Sequence, residues 1–502
     1  MQSSKDLFPI FVILLSSTCF GSLSSFPGPC SSSMKKIYPG LAAPKNDDKW
    51  EWFSNGPRLT AAVGPFLFCP LVYRFGRQAS ISFAGFANGV LYLLLLPTNE
   101  NLMTYIMIIR LIHGLIWGFL STITLVYLIE MSSPNAYGFT GCMHQFFNVF
   151  GIVLNNILAA FVNFRTLSII CGVISFVFCG LVWVINDSRV SLQDKMIRLA
   201  KKSMRQHAKK NFKLAKQKQR KSTNVDDNDE DSNKNEDQNE KKSLFSRKSK
   251  KSFKKSQNSG KKKIRNQGDY ENVGNSNFIR VNRNIDSNFV LNGEYIRTES
   301  LLQKKYLFVV VSGSFMFLFQ QFSGANAILS NLSTIMAQSG LLIDPNLQSS
   351  MANAAQLIAV LVCSFLVDSF GPRIMWCISA SLCVVFLVIY AVTQKVATPH
   401  FFPVLCIFLY RLSFGLGVGP LTYATWVHLL SDSVRYYGTM ILMSVHWLIS
   451  WVVVITFPIM NKNITPFYTV IVYAISTFIS VFYGIFFIPD NSDKETEEMA
   501  LI

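Results

Sequence analysis

The chain has 502 residues, half of them hydrophobic and only 15% charged, with 42 Phe. Water-soluble domains average nearer a quarter charged residues, so this composition speaks against an ordinary soluble globular protein. Roughly two-thirds of the 47 Lys and Arg, and nearly all of the +18 net charge, fall between Asp187 and Lys305; that stretch lies between apolar runs, so a cytoplasmic loop explains it and no nucleic-acid partner is expected.

A bilayer core needs about 20 apolar residues of helix. Such runs occur at roughly 7–27, 56–73, 79–97, 102–129, 138–163 and 166–186, and resume at roughly 305–330, 350–368, 374–393, 401–430, 437–460 and 466–488. The first run also has the look of a signal peptide, being Ser-rich and following Lys5. Retaining it as a span puts both termini and the basic segment in the cytoplasm, and turns Arg74, Arg77, Arg373 and Arg435 inward. The expected class is therefore an all-α membrane protein of twelve transmembrane helices in two pseudo-symmetric six-helix bundles. Its expected divisions are an N-terminal bundle (1–190), a cytoplasmic, largely disordered segment (191–303), a C-terminal bundle (304–489) and an acidic cytoplasmic tail (490–502). The loop at about 28–54 is expected outside. Of the ten cysteines only Cys30 reads as loop-borne, and no Cys-x-x-Cys occurs, so neither disulfides nor a metal is expected.

The two sets of six runs repeat one another. Arg110-Leu111-Ile112-His113-Gly114-Leu115-Ile116-Trp117-Gly118 opens the fourth run, and Arg411-Leu412-Ser413-Phe414-Gly415-Leu416-Gly417-Val418-Gly419 opens the tenth. Tyr73-Arg74-Phe75-Gly76-Arg77 follows the second, and Asp368-Ser369-Phe370-Gly371-Pro372-Arg373 follows the eighth. His144 and His446 keep nearly the same offset. Glycines four apart let helices approach closely. Two six-span halves joined by a polar linker form the architecture of alternating-access carriers, which bind a solute between the halves near the midplane.

Unpaired polar groups are costly in hydrocarbon, so amides inside apolar runs point to a cavity or to contacts between helices. The densest cluster is Gln320-Gln321-Phe322-Ser323-Gly324-Ala325-Asn326, read as one turn after another of the seventh span. Gln145, Gln356 and Tyr423 could converge with it. Amides donate and accept at once, which suits a neutral ligand with many hydroxyls. His113, His144, His428 and His446 also sit in or near spans, where a bond to a neighbouring helix is the simpler role. No nucleophile–base–acid set appears, so neither catalytic residues nor a cofactor is expected.

These motifs resemble the sugar porter family of the major facilitator superfamily, which includes the glucose facilitators. The cluster from Gln320 to Asn326 is similar to that family's Gln-Gln-x-Ser-Gly-x-Asn signature, and Arg74-Phe75-Gly76-Arg77-Gln78 resembles its Arg-x-Gly-Arg-Arg turn. Tyr127, Glu130, Gly138, His144-Gln145 and Gly151 resemble its fourth-to-fifth helix pattern; Gly417, Gly419-Pro420 and Arg435 its tenth helix; and Pro489-Asp490 with Glu497-Glu498 its C-terminal motif. The resemblance implies a sugar carrier in which Gln145, Gln320, Gln321, Asn326 and Gln356, with Tyr423 and Trp447, contact the sugar. It also implies a cytoplasmic gate of Arg77, Glu130, Asp187, Arg189, Asp368, Arg373, Arg435 and Asp490, whose ion pairs would hold the inner side shut. The chain departs from the pattern at Tyr137 (Arg in the family), Pro372 (Arg), Tyr423 (Trp), His428 (Glu) and Ser450 (Asn). Proton-coupled relatives carry an Asp in the first helix; here the matching position is Gly28, and Leu7 to Phe26 contains no carboxylate, so facilitated diffusion is expected.

The expected function is thus transport of a hexose-class sugar, with the lipid bilayer and a monosaccharide as partners. A carrier of a polyol or another small polar solute, or a non-transporting sugar sensor, are the alternatives. The sequence does not fix an oligomeric state. A plasma-membrane location is expected, and Asn331 and Asn463 are glycosylation sequons on predicted external loops.

Overall fold

The computed structural model describes residues 4–133, 136–188, 190–191, 193, 288–291, 294–297, 299–337, 343–396, 399 and 401–489. The chain divides into two compact units, Met1–Leu192 with Glu299–Ile502, and Gln193–Thr298. In the smaller unit the described residues form one antiparallel hairpin, Asn288–Leu291 against Glu294–Arg297. The rest of the expected 191–303 segment lies largely outside the described residues, as does the expected 490–502 tail.

The larger unit is helical. Its first half comprises α1 (Ser4–Ser25), α2 (Pro27–Ile37), α3 (Asp47–Leu67), α4 (Cys69–Phe75), α5 (Arg77–Leu93), α6 (Met103–Met131), α7 (Tyr137–Phe161) and α8 (Phe164–Val182). Its second half comprises α9 (Lys304–Phe322), α10 (Ala325–Ala337), α11 (Pro345–Phe370), α12 (Pro372–Thr393), α13 (Phe401–Gly415), α14 (Val418–Ala424) and α15 (Arg435–Phe487). Nine of the described helical stretches are individually long and apolar enough to cross a bilayer. One of these is α15, which is two spans joined at Thr465, where φ turns to 70° beside Pro466. Adding α3 with α4, and α5, completes twelve crossings in two six-helix halves. Each half has its own apolar core. Large apolar side chains such as Phe86, Ile358, Phe365 and Phe486 stay exposed, as a lipid-facing surface requires.

The first two crossings differ from the sequence reading. Cys30 is not on a loop: it lies in α2 and is fully buried. The second span starts at Asp47 rather than near residue 56, because Asp47 and Asp48 occupy the first turn of α3, where negative charge complements the helix dipole.

The internal repeat is visible in the backbone. The turns after the second and eighth crossings hinge on Gly76 (φ 93°) and Gly371 (φ 79°), a left-handed conformation that side chains disfavour. The Arg-led repeat places its glycines at helix contacts. A side chain on Gly118 would run into the Ala61 carbonyl of α3, so α3 and α6 pack backbone to backbone, as small residues permit in membranes. Replacing Gly118 by Leu should therefore force α3 and α6 apart at a cost of about 2–3 kcal/mol. A lowered melting temperature and loss of the monodisperse peak in detergent would show it; an unchanged melt would refute the close contact.

Candidate functional site

The Gln320–Asn326 cluster does not lie on one continuous helix, as the sequence reading supposed. α9 ends at Phe322, the chain turns through Ser323 and Gly324 (φ 81°), and α10 begins at Ala325. The Ser323 carbonyl, released by the break, accepts from the Tyr410 hydroxyl at 2.9 Å. The tenth crossing is broken as well, between α13 and α14 at Leu416-Gly417. Gln320 joins the two breaks: its Nε2 donates to the carbonyls of Gly419 (2.9 Å) and Val418 (3.3 Å) and to Thr422 Oγ1 (2.6 Å). Gln321 Nε2 donates to Gln320 Oε1 (3.2 Å) and lies 3.1 Å from His446 Nδ1. Asn326 Nδ2 donates to Gln321 Oε1 (2.6 Å) and to Ser450 Oγ (3.1 Å). The amides thus form one chain across the seventh, tenth and eleventh crossings.

These groups wall a cavity of about 50 Å³ between the halves. All seven candidate solute-contacting residues line it: Gln145, Gln320, Gln321, Asn326, Gln356, Tyr423 and Trp447. Trp447 crosses the boundary between halves, donating from Nε1 to Ser121 Oγ at 3.1 Å and packing on Trp117 with centroids 4.4 Å apart. Gln356 Oε1, Asn148 Oδ1 and Arg411 Nε are buried and find no hydrogen-bond partner among the described residues, so the wall keeps polar capacity for a ligand with hydroxyls. Among the lining residues that sequence reasoning did not assign to the site are Arg58, Asn148 and Arg411. The signal for Arg58 was present: a guanidinium inside an apolar run is costly and marks function by default.

Above the cavity, toward the end of the bundle opposite the chain termini, a vestibule of about 700 Å³ opens between α1, α2, α3, α10, α11 and α15. Ser24, Arg58 and Leu329 belong to the walls of both. The terminus-bearing end is closed by contacts between halves. Gly138 packs on Asp368; a side chain on Gly141 would come within 2.5 Å of Ala424; and the rings of Tyr137 and His428 stack with centroids 5.5 Å apart at 29°.

The expected gate residues gather at this closed end. Arg77 Nη2 pairs with Glu130 Oε1 at 3.1 Å, with both side chains buried, and the Ser188 hydroxyl donates to the other Glu130 oxygen. Asp187 accepts from the Gln78 backbone N–H (3.2 Å) and from Ser191 Oγ (2.9 Å). Arg373 Nε donates to the Ile488 carbonyl at 2.8 Å, and Arg435 pairs with Asp432 at 2.5 Å. The pairs of Arg77 and Arg435 each stay within one half, while the Arg435 charge also bears on Glu130 and Asp368 lies against Gly138 across the boundary. Arg189 and Asp490 lie outside the described residues. At the start of the seventh crossing, Glu299 accepts from Ser431 Oγ (2.6 Å) and from the Tyr306 hydroxyl, bonds that hold its carboxyl below the usual range.

The two sequons are placed differently. Asn463 is exposed, two residues before the turn at Thr465. Asn331 is on α10 rather than on a loop; its Nδ2 donates to the Ala327 carbonyl at 2.9 Å, and it belongs to the vestibule wall. The helix runs past it because the sequence from Ala325 to Ala337 holds no Gly or Pro to stop it.

Comparison with known proteins gives a consistent picture. The family model described as "Sugar (and other) transporter" matches residues 10–259 and 261–502. A facilitated trehalose transporter of Bombyx mori is 24% identical over 40% of this chain and 42% of its own length, so this match spans less than half of that relative. One of Apis mellifera ligustica is 20% identical over 99% of this chain and 88% of its own. Among solved structures, the major facilitator superfamily proton:xylose symporter XylE bound to 6-bromo-6-deoxy-D-glucose superposes with a TM-score of 0.68 at 17% identity, covering 98% of this chain and 97% of that one. A partially occluded inward-open form of the E. coli xylose transporter superposes with a TM-score of 0.63 at 16% identity, over 98% and 99%.

Two measurements follow from this geometry. Tyr137→Ala removes a ring contact of about 0.5–1.5 kcal/mol from the closed end, so spin labels placed across that end should report a roughly 2- to 10-fold larger open population, with Tyr137→Phe unchanged. Glu130→Ala removes the carboxylate paired with the buried Arg77 guanidinium and should cost about 3–5 kcal/mol in stability; the apolar double variant Arg77→Met/Glu130→Leu should recover most of the melting temperature.

Proposed function

This chain belongs to the sugar (and other) transporter family, and on that premise we propose that it carries a hexose-class sugar by alternating access, as facilitated diffusion. It is a multi-pass membrane transporter rather than an enzyme. The observation that carries the proposal is the convergence of Gln145, Gln320, Gln321, Asn326, Gln356, Tyr423 and Trp447, drawn from both halves, on one cavity at mid-depth. In this reading a sugar enters through the vestibule, its hydroxyls take up the amide bonds that Gln356 and Asn148 leave open, and the halves rock about it. The cavity of about 50 Å³ has room for a water or two, so binding draws the wall apart around the ring before the vestibule closes. Opening the far end then requires Tyr137 to part from His428 and Gly141 from Ala424.

The absence of a carboxylate between Leu7 and Phe26 supports diffusion without proton coupling. Arg110, at the start of the fourth crossing, lies over the rings of Phe26 (5.6 Å) and Phe53 (5.4 Å) and donates to the Leu23 carbonyl at 3.5 Å. From Leu7 to Ser25, α1 has no carboxylate to pair with it. The positive-inside distribution supports cytoplasmic termini, with the vestibule facing outward at the plasma membrane in this reading.

Uptake of radiolabelled glucose into proteoliposomes, with trehalose as competitor, tests this reading. Asn326→Ala and Gln320→Ala should each lower kcat/KM at least tenfold, with Asn326→Ala keeping its melting temperature. An inward proton gradient should leave uptake unchanged; a severalfold rise would overturn the uncoupled mechanism, and no flux of any sugar would overturn the carrier.

A further inference from the structure

The cavity wall carries two guanidiniums and no carboxylate. Arg58 on α3 and Arg411 on α13 both line it and are 4% and 2% exposed. Arg58 Nη2 donates to Ser330 Oγ at 2.7 Å, and its Nη1 donates to the Ser54 carbonyl at 3.2 Å and to Asn55 Oδ1 at 3.5 Å. Arg411 Nη2 donates to Asn353 Oδ1 at 2.6 Å, and its Nε finds no partner among the described residues. Every acceptor is neutral. An Arg side chain keeps its charge under any condition a protein meets, and a buried charge calls for an opposite one. The vestibule does contain Glu51 and Asp344, but both are exposed to the wide opening, where solvent screens them. Asp344 already caps α11 by accepting from the Asn346 and Leu347 N–H groups.

Two fixed positive charges in the wall of a hydroxyl-binding cavity do not suit a neutral hexose alone. We propose that the preferred solute is a sugar acid of monosaccharide size, a hexuronate or aldonate, whose carboxylate is taken by Arg58 and Arg411 while the amides hold its hydroxyls. Arg58 stands where vestibule and cavity meet, so it encounters the carboxylate first; its planar fork matches that group in bidentate geometry. Replacing neutral acceptors by a carboxylate supplies the missing countercharge only when solute is bound. The inference rests on the sugar-carrier reading and narrows it.

The test uses the full chain in proteoliposomes, comparing uptake of radiolabelled D-glucuronate and D-glucose, with L-lactate as an unlabelled competitor. Glucuronate should exceed glucose at least tenfold in kcat/KM, and Arg58→Gln should lower the glucuronate-to-glucose ratio at least tenfold. The wild-type ratio decides even if the variant fails to fold. Glucose carried while glucuronate is neither carried nor competes overturns the sugar acid and leaves the carrier standing. Lactate competing as strongly as glucuronate overturns the sugar part of the ligand. Flux of neither solute overturns the proposal together with the carrier reading.

Discussion

A single side-chain amide holds the middle of this molecule together. Hydrocarbon offers no hydrogen-bond partners, so a helix broken at mid-membrane must find internal partners for the groups it releases. The seventh crossing breaks at Ser323-Gly324 and the tenth at Leu416-Gly417, and Gln320 reaches from one to the other, binding the carbonyls of Val418 and Gly419. With that amide committed, its Oε1 orients Gln321, and Gln321 in turn orients Asn326. The breaks themselves are satisfied elsewhere, the Val418 N–H by Ser379 Oγ and the Ser323 carbonyl by Tyr410, so the amide of Gln320 adds a tie between the two broken crossings.

Much of this was legible in the chain. Twelve apolar runs gave the crossings, and the Arg-led repeats at Arg110 and Arg411 gave the two halves. The density of amides from Gln320 to Asn326 marked the site. What escaped notice depends on partners far apart in sequence. A break at Gly324 is invisible to apolar periodicity, because Phe322 and Ala325 are as hydrophobic as a continuous helix would be. Arg58 sits among apolar neighbours, and only its meeting with the cavity separates it from an interfacial anchor. Cys30 and Asn331 looked like loop residues because their segments are short and Ser- or Asn-containing, yet the helices α2 and α10 run through both.

The positions where the chain departs from the sugar-porter pattern explain one another once the fold is known. Tyr137 stands where the family has Arg and His428 where it has Glu, and taken singly each looks like the loss of a gate residue. In the structure they face each other across the boundary with stacked rings. An aromatic contact thus stands where the family pattern has Arg and Glu, an exchange of residue types that leaves this end closed. No such partner explains Pro372, which simply starts α12 at a position where its missing N–H costs nothing.

That exchange alters how the closed end responds to its surroundings. Arg77–Glu130 and Arg435–Asp432 each brace one half internally, and the Arg435 charge also bears on Glu130 across the boundary. The contacts that must part when this end opens include Tyr137 on His428 and Gly141 against Ala424, with Trp447 on Ser121 nearer the cavity. These are packing and neutral hydrogen bonds, and salt screens them far less than exposed ion pairs. A carrier closed in this way holds its resting orientation by shape. The force available to overcome it is the binding energy gathered at the cavity, which reaches both halves through Gln145 on α7 and Gln320 on α9.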